Sequence, residues 1–323
     1  MSHPIASVFP AHVVAHLDAV EERLGAATAS REASLHAWAA EPMAAGGKRI
    51  RPLLLLTAFY ACHGPATPSP ARLDNALDAA AAVELVHAAS LVHDDIMDES
   101  PQRRGQPSTY AAHGRDAAIL VGDYLFMQAF AIAARLPKEA MDLTADACRR
   151  LCEGQMRERR VQQSGSVSRA DYEAVIHDKT ASLLSAACGI GAIMAGAEPA
   201  RVKALTRYGN AIGHAFQVLD DVLDVTGDPQ WTGKPAGTDF LAGTYSSPYL
   251  HFLERGGTLP LQRSQQAFPQ IRQSLYESGA VAASQLEAST YTQDALLQVE
   301  ILPPSVTRDA LSGLAELLME RSQ

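Results

Sequence analysis

Asp94-Asp95-Ile96-Met97-Asp98 and Asp220-Asp221-Val222-Leu223-Asp224 share one spacing, D-D-x-x-D, and stand 126 positions apart (220 − 94 = 126). Apolar pairs precede both, Leu91-Val92 and Val218-Leu219. On an α-helix, positions i and i+4 face the same way while i+1 lies about 100° round. Each box therefore predicts two carboxylates aimed in one direction, one helical turn apart. Two such clusters facing each other would make a strongly negative pocket, costly to build unless cations fill it. One box alone reads as a solvated helix face or a cap. Two boxes, both in apolar helix and both trailed by basic residues, read as a site for divalent metal.

The ligand type selects the ion. Carboxylates without a nearby Cys pair favour hard cations, and Mg2+ takes one or two carboxylates and leaves positions for water or phosphate oxygens. A diphosphate site then needs Lys and Arg nearby. Gly46-Gly47-Lys48-Arg49-Ile50-Arg51-Pro52 precedes the first box, and Arg103-Arg104-Gly105 follows it. Asp178-Lys179-Thr180 lies between the boxes, and Gly233-Lys234-Pro235 follows the second. Arg offers phosphate a bidentate fork and Lys a mobile point charge.

The rest of the chain predicts an all-α fold, a single large helical bundle over residues 1–323. Amphipathic runs fall near 9–26, 28–40, 48–63, 72–98, 115–135, 138–162, 169–177, 178–196, 199–225, 246–254, 264–278, 280–298 and 304–321, and strand-like alternation is nearly absent. Breaks come at Gly and Pro, the longest from Gly227 to Ser247 directly after the second box, where a mobile cover over a bound ligand is expected. Helix after helix with short loops reads as one bundle whose cavities lie between helices.

Composition excludes several classes. With 323 residues, 47% hydrophobic and 20% charged, the chain can bury a sizeable core. A net charge of −9 argues against a nucleic-acid partner. Cys62, Cys148, Cys152 and Cys188 form no disulfide framework and read as free thiols, which suits a reducing cytoplasm. Met1 to Pro10 lacks the charged and apolar regions of a signal peptide. The stretch from Thr180 to Ala197 is uncharged, but its Gly and Ser residues fit a buried bundle helix better than a transmembrane segment.

At this point the motifs resemble a known family. The segment 46–52, the run from His87 to Gly105, Gly122-Asp123-Tyr124-Leu125, Lys179-Thr180 and Phe216-Gln217-Val218-Leu219-Asp220-Asp221 appear in the order found in trans-isoprenyl diphosphate synthases. The resemblance runs from about residue 40 to about residue 240, with a weaker echo at Leu302-Pro303-Pro304. It implies the isoprenoid synthase fold with a central cavity, and condensation of isopentenyl diphosphate with an allylic diphosphate. By position, it implies Mg2+ ions bridging the allylic diphosphate to Asp94, Asp98 and Asp220, with Asp95, Asp221 and Asp224 in support. Arg103, Lys179 and Lys234 would neutralise the leaving diphosphate. Lys48, Arg51, His87 and Arg104 match the isopentenyl diphosphate pocket, which needs no metal, and Thr180 and Gln217 match positions lining the reaction centre. A homodimer is expected from the same resemblance.

Product length in such enzymes depends on side chains one or two turns before the first box. Short-chain members tend to carry aromatic residues four or five positions before the first Asp, where this chain has Ser90 and Ala89. A product of twenty carbons or more is expected, with Met127 or Phe130 as candidates for the cavity floor. One departure stands out: family members usually carry Lys where this chain has Thr244.

Three other readings compete. A terpene cyclase shares the fold but would not need Lys48, Arg51 and Arg104 for a second diphosphate. A non-catalytic subunit of a heteromeric synthase is suggested by Thr244, yet such subunits generally lose acid-box residues and both boxes here are complete. An HD-type phosphohydrolase, suggested by His87, His93 and Asp94, leaves the second box unexplained.

Overall fold

The computed structural model of the chain describes residues 6–64, 66–164, 166–227, 236–260 and 262–321. Lys234 and the loop residues 228–235 around it lie outside these, as do the first five residues of the N-terminal segment. The described residues are helical apart from loops and one antiparallel pair of two-residue strands, Gln102–Arg103 and Gln106–Pro107. The fold is therefore all-α. The chain forms two compact units.

The first unit gathers Met1–Cys148, Leu183–Thr206 and Val299–Leu311. Its Ile50–His63 helix buries Leu53, Leu54, Leu55, Leu56 and Phe59. The Pro70–Met97 helix starts where Ser69 accepts the Arg72 N–H and Pro70 supplies a pre-set φ at the first helical position. Its alanines, Ala79 to Ala82, are all buried, and this lets the Arg115–Ala133 helix pack closely along it. Both helices are long and apolar enough to cross a bilayer by length and composition, and the first is mostly buried within the protein. The uncharged stretch from Thr180 becomes the Ser182–Met194 helix, whose Leu183, Leu184, Ala187, Cys188 and Ile190 are core.

The second unit gathers Arg149–Ser182, Arg207–Gln298 and Ser312–Gln323. Val222, Val225, Phe240, Tyr249, Phe268 and Leu275 form its apolar cluster. Two features here escape helical periodicity. Between the Arg169–Ile176 helix and Ser182, residues His177–Ala181 widen into a π turn that carries Lys179 and Thr180. Such turns recur at functional positions because the extra residue re-aims side chains. The second is a five-residue helix, Thr238–Ala242, inside the stretch expected to be irregular. The run expected over 9–26 is also split, into Ala11–Val14 and Leu17–Ala27.

Gly213 shows how the π turn is held. A Cβ there would collide with the backbone of Ala181, so only glycine lets the two segments approach this closely. Gly213→Ala should therefore lower stability by about 1–3 kcal/mol through overpacking, read as a fall in the urea midpoint at unchanged m-value. An unshifted midpoint would show that the contact is slack.

Candidate functional site

In the first unit the first box ends the Pro70–Met97 helix. Asp95 is 3% exposed and accepts from Arg103 twice, from Nε at 3.0 Å and from Nη2 at 2.5 Å. Burial raises its pKa, Arg103 opposes that rise, and Asp98 adds to it. Asp94 is half-buried, and Asp98, just past the last helical residue, is exposed. One carboxylate of the box is thus buried against Arg103, one is half-buried and one is exposed.

Arg103 and Arg104 owe their places to a tight turn. Arg104 (φ 54°) and Gly105 (φ 76°) take successive left-handed conformations, the pattern of a two-residue hairpin. Arg104 then lies over Gly47, where a Cβ would come within 2.8 Å of its guanidinium. A cavity of about 570 Å3 opens here, lined among others by Arg49, Glu84, His87, Asp95, Arg103 and Arg104. Arg51 is close enough to Glu84 and Arg104 to feel both charges, and burial lowers its pKa. His87 is pushed well below the usual histidine range, first by burial and then by Arg51, Arg104, Arg103 and Arg49, so it enters as a neutral imidazole. Lys48 is exposed on the loop before Arg49.

Two members of this cluster were not singled out from sequence. Arg49, 6% exposed, donates to Glu84 at 3.0 Å and to Glu21 at 2.5 and 3.0 Å. Glu84 is buried and balances part of the arginine charge. Its signal was available: Glu84 is the one charge in the run Ala79 to Val86.

In the second unit Asp221 is the hub of the second box. It is 5% exposed and accepts from the Tyr172 hydroxyl at 2.7 Å, the Ser247 backbone N–H at 2.9 Å and Gln217 Nε2 at 3.0 Å. Gln217 Oε1 in turn accepts from the Thr180 hydroxyl at 2.8 Å, so Thr180, Gln217 and Asp221 form one chain. Asp224 accepts from the backbone N–H groups of Thr238 and Asp239 at 3.0 and 3.1 Å and so caps the short helix. Asp220 is exposed. Lys179 pairs with Glu158, and its neighbour Asp178 is buried against Arg150 and Arg157. A cavity of about 200 Å3 touches Lys179, Thr180, Gln217, Asp221, Tyr172 and Thr244.

Asp239, like Tyr172, is a residue that sequence reading passed over in this unit. Burial, then Asp221 and Asp224, pushes its carboxyl up to about 8, and burial pushes Asp221 up to about 7. Asp224 is raised too, mainly by burial. These carboxylates carry a negative charge that their surroundings do not fully offset, the condition a hard dication relieves. Among the described residues no three acidic, His or Cys groups close into a ready-made cage.

A profile of the polyprenyl synthetase family matches residues 32–274. The chain is 36% identical over 290 residues to a short chain isoprenyl diphosphate synthase of Methanothermobacter thermautotrophicus, covering 86% of this chain and 87% of that protein. It is 34% identical over 287 residues to an octaprenyl diphosphate synthase of Haemophilus influenzae, covering 86% and 85%. Its structure is similar to that of a polyprenyl synthase from Caulobacter crescentus complexed with calcium and isoprenyl diphosphate. The TM-score is 0.88 and the identity 32%, over 100% of this chain and 99% of that one.

The raised carboxylates set a pH dependence. Their folded-state pKa values lie above the ordinary 3.8, so the folded state holds more protons than the unfolded one and its stability falls as pH rises toward about 7 and about 8. In EDTA, the melting temperature should drop between about pH 4 and about pH 8, and Asp239→Asn should flatten that drop. Equal slopes in the two proteins would remove Asp239 from the cluster.

Proposed function

This chain belongs to the polyprenyl synthetase family and is a trans-prenyltransferase, and from that premise we propose that it joins isopentenyl diphosphate to an allylic diphosphate in a Mg2+-dependent reaction giving products of twenty carbons or more. The observation that carries the reading is the division of labour within each acid box. Asp95 and Asp221 are buried and held by hydrogen bonds, Asp95 by Arg103 and Asp221 by three donors, while Asp98 and Asp220 are exposed and Asp94 is half-buried. A box built only as a helix cap or a solvated face has no use for such an internal brace.

In this reading Asp94, Asp98 and Asp220 hold Mg2+, braced by Asp95, Asp221 and Asp224, and the whole chain acts as one catalytic domain. Bound Mg2+ supplies Lewis-acid stabilisation of the departing diphosphate. Arg103, Lys179 and Lys234 would add positive charge to the leaving diphosphate. Lys179 must then exchange its Glu158 partner for phosphate, which its flexible stem permits. Thr180 and Gln217 present oxygen dipoles near the developing allylic cation. Their mutual hydrogen bond keeps them from acting as free nucleophiles toward it. The cavity with Arg49, His87 and Arg104, together with Lys48 and Arg51, takes isopentenyl diphosphate, whose charge these cations neutralise without metal. The final proton goes to the released diphosphate, so no protein base is needed.

For product length, Ala89 is buried and Ser90 spends its hydroxyl on the His87 carbonyl at 2.8 Å, leaving no bulk one turn before the box. Met127 is 60% exposed, so this residue does not serve as the floor within one chain; Phe130, half-buried, retains that role in the proposal. Exposed Ile119, Leu120 and Met127 on the Arg115–Ala133 helix support a homodimer, and four free cysteines support a reducing, cytoplasmic setting. Thr244 favours a second reading, a non-catalytic subunit of a heteromeric synthase.

Purified protein with Mg2+, labelled isopentenyl diphosphate and an allylic primer should give a discrete prenyl product of twenty carbons or more. Asp94→Ala and Asp220→Ala should each lower turnover by about 100-fold or more while remaining folded, since one less carboxylate relieves repulsion. Ala89→Phe should shorten the product. No product with any primer would favour the subunit reading, and unchanged turnover in both Asp variants would remove the metal assignment.

A further inference from the structure

Thr244 leaves the second unit short of one cation, and the structure brings another to the same place by a different route. Beyond the Ser247–Glu254 helix the chain returns Arg263 to the segment Gly243-Thr244-Tyr245. The guanidinium carbon stands 5.1 Å from the centroid of the Tyr245 ring and 5.9 Å from that of Phe240. One terminal nitrogen donates to the Phe240 carbonyl at 3.5 Å, and the same nitrogen lies 3.4 Å from where a Cβ on Gly243 would sit. Two ring faces thus hold a planar cation against the backbone on both sides of Thr244, which limits the rotamer freedom a surface arginine normally keeps.

Its partners are as telling as its position. Among the described residues Arg263 has no carboxylate to pair with, although the Thr238–Ala242 helix beside it carries Asp239 and is capped by Asp224. The Tyr249 hydroxyl shows that these groups share one neighbourhood. Its pKa is raised by burial, Asp224 and Asp239, while Arg263 pulls it the other way. The guanidinium has five N–H donors, and a single long bond to a carbonyl uses one of them. A stacked arginine whose donors find only one long bond to a carbonyl among the described residues, next to carboxylates that call for metal, is set for an anion that arrives with that metal.

We propose that Arg263 contacts the diphosphate of the allylic substrate and supplies from this loop the positive charge that Thr244 does not. The proposal rests on the prenyltransferase reading and deepens it by naming a residue for one of the two diphosphates. If Arg263 served only to pin its loop through the two rings, its loss would lower stability without favouring one substrate over the other. A lysine at 244 would not repair that loss.

The test uses Arg263→Met, Thr244→Lys and the double variant of the full chain. Each is assayed for KM toward an allylic primer and toward isopentenyl diphosphate, and titrated calorimetrically with inorganic pyrophosphate in Mg2+. Losing one charge-assisted contact predicts about a tenfold weaker allylic KM and pyrophosphate affinity in R263M, with the isopentenyl KM within about twofold. T244K added to R263M should restore both to within about threefold of wild type. Wild-type values in R263M, or an equal rise in both KM values that T244K leaves in place, would overturn the proposal. Wild-type protein that neither turns over nor binds pyrophosphate would instead overturn the prenyltransferase reading beneath it. A measurement on the wild-type chain needs no variant to fold: phenylglyoxal should modify Arg263, and Mg2+ with pyrophosphate should protect it. Modification at the same rate with and without pyrophosphate would also overturn the proposal.

Discussion

Carboxylates crowded at one place repel one another, and burial makes each of them harder to ionise. The second unit is organised around this constraint. Asp221 sits inside the protein at a position where an unsupported charge would cost several kcal/mol, and three separate segments bring it a donor. Tyr172 comes from the Arg169–Ile176 helix, Gln217 lies one turn back on its own helix, and Ser247 begins the Ser247–Glu254 helix. Asp224, one turn further on, performs the same service for the Thr238–Ala242 helix. Segments that are distant in sequence are thus registered against one another through two acidic side chains.

The first unit solves the converse problem. There the crowded charges are guanidiniums, and the structure limits their repulsion with Glu84, Glu21 and Asp95, while His87 is held neutral. Because Glu84 and Asp95 are buried, they compensate charge without occupying the cavity mouth. In each unit, then, neighbouring groups tie down part of the charged cluster: Glu84 and Asp95 for the arginines, and Tyr172, Gln217 and Ser247 for Asp221.

Much of this was legible in the sequence, and the limits have physical reasons. The acid boxes and the long helices follow from local rules: i, i+4 spacing, proline at the start of the 70–97 helix, and apolar periodicity. What escaped depends on tertiary partners. The π turn at His177–Ala181 has no local marker, since it exists because Gly213 admits the neighbouring helix and because Asp178 is drawn to Arg150 and Arg157. The Thr238–Ala242 helix, inside a stretch rich in Gly and Thr, exists because Asp224 caps it from another element. Tyr172 and Asp239 looked ordinary on a polar helix and in a polar loop, and only burial reveals them. Phe130 and Met127 are three positions apart on one helix, yet Met127 is exposed while Phe130 is half-buried, a distinction set by which neighbour covers which face.

The placement of charge by backbone type carries one further consequence. Nearly every acid of the two boxes stands on a long helix, where the rise and rotation per residue fix the distances between carboxylates. Arg51 on the Ile50–His63 helix and Arg103 in the short strand apart, the cations stand on irregular backbone. Lys48 and Arg49 follow the left-handed Gly46, Arg104 takes a left-handed turn position, Lys179 rides a π turn and Arg263 a loop. A dication with near-octahedral demands tolerates little error in its carboxylates and so belongs on rigid elements. A diphosphate changes charge and position as its ester bond breaks, and its partners gain by following it. Acids on helices with most cations on less regular backbone therefore suit a reaction in which the metal stays ordered while the leaving group moves away.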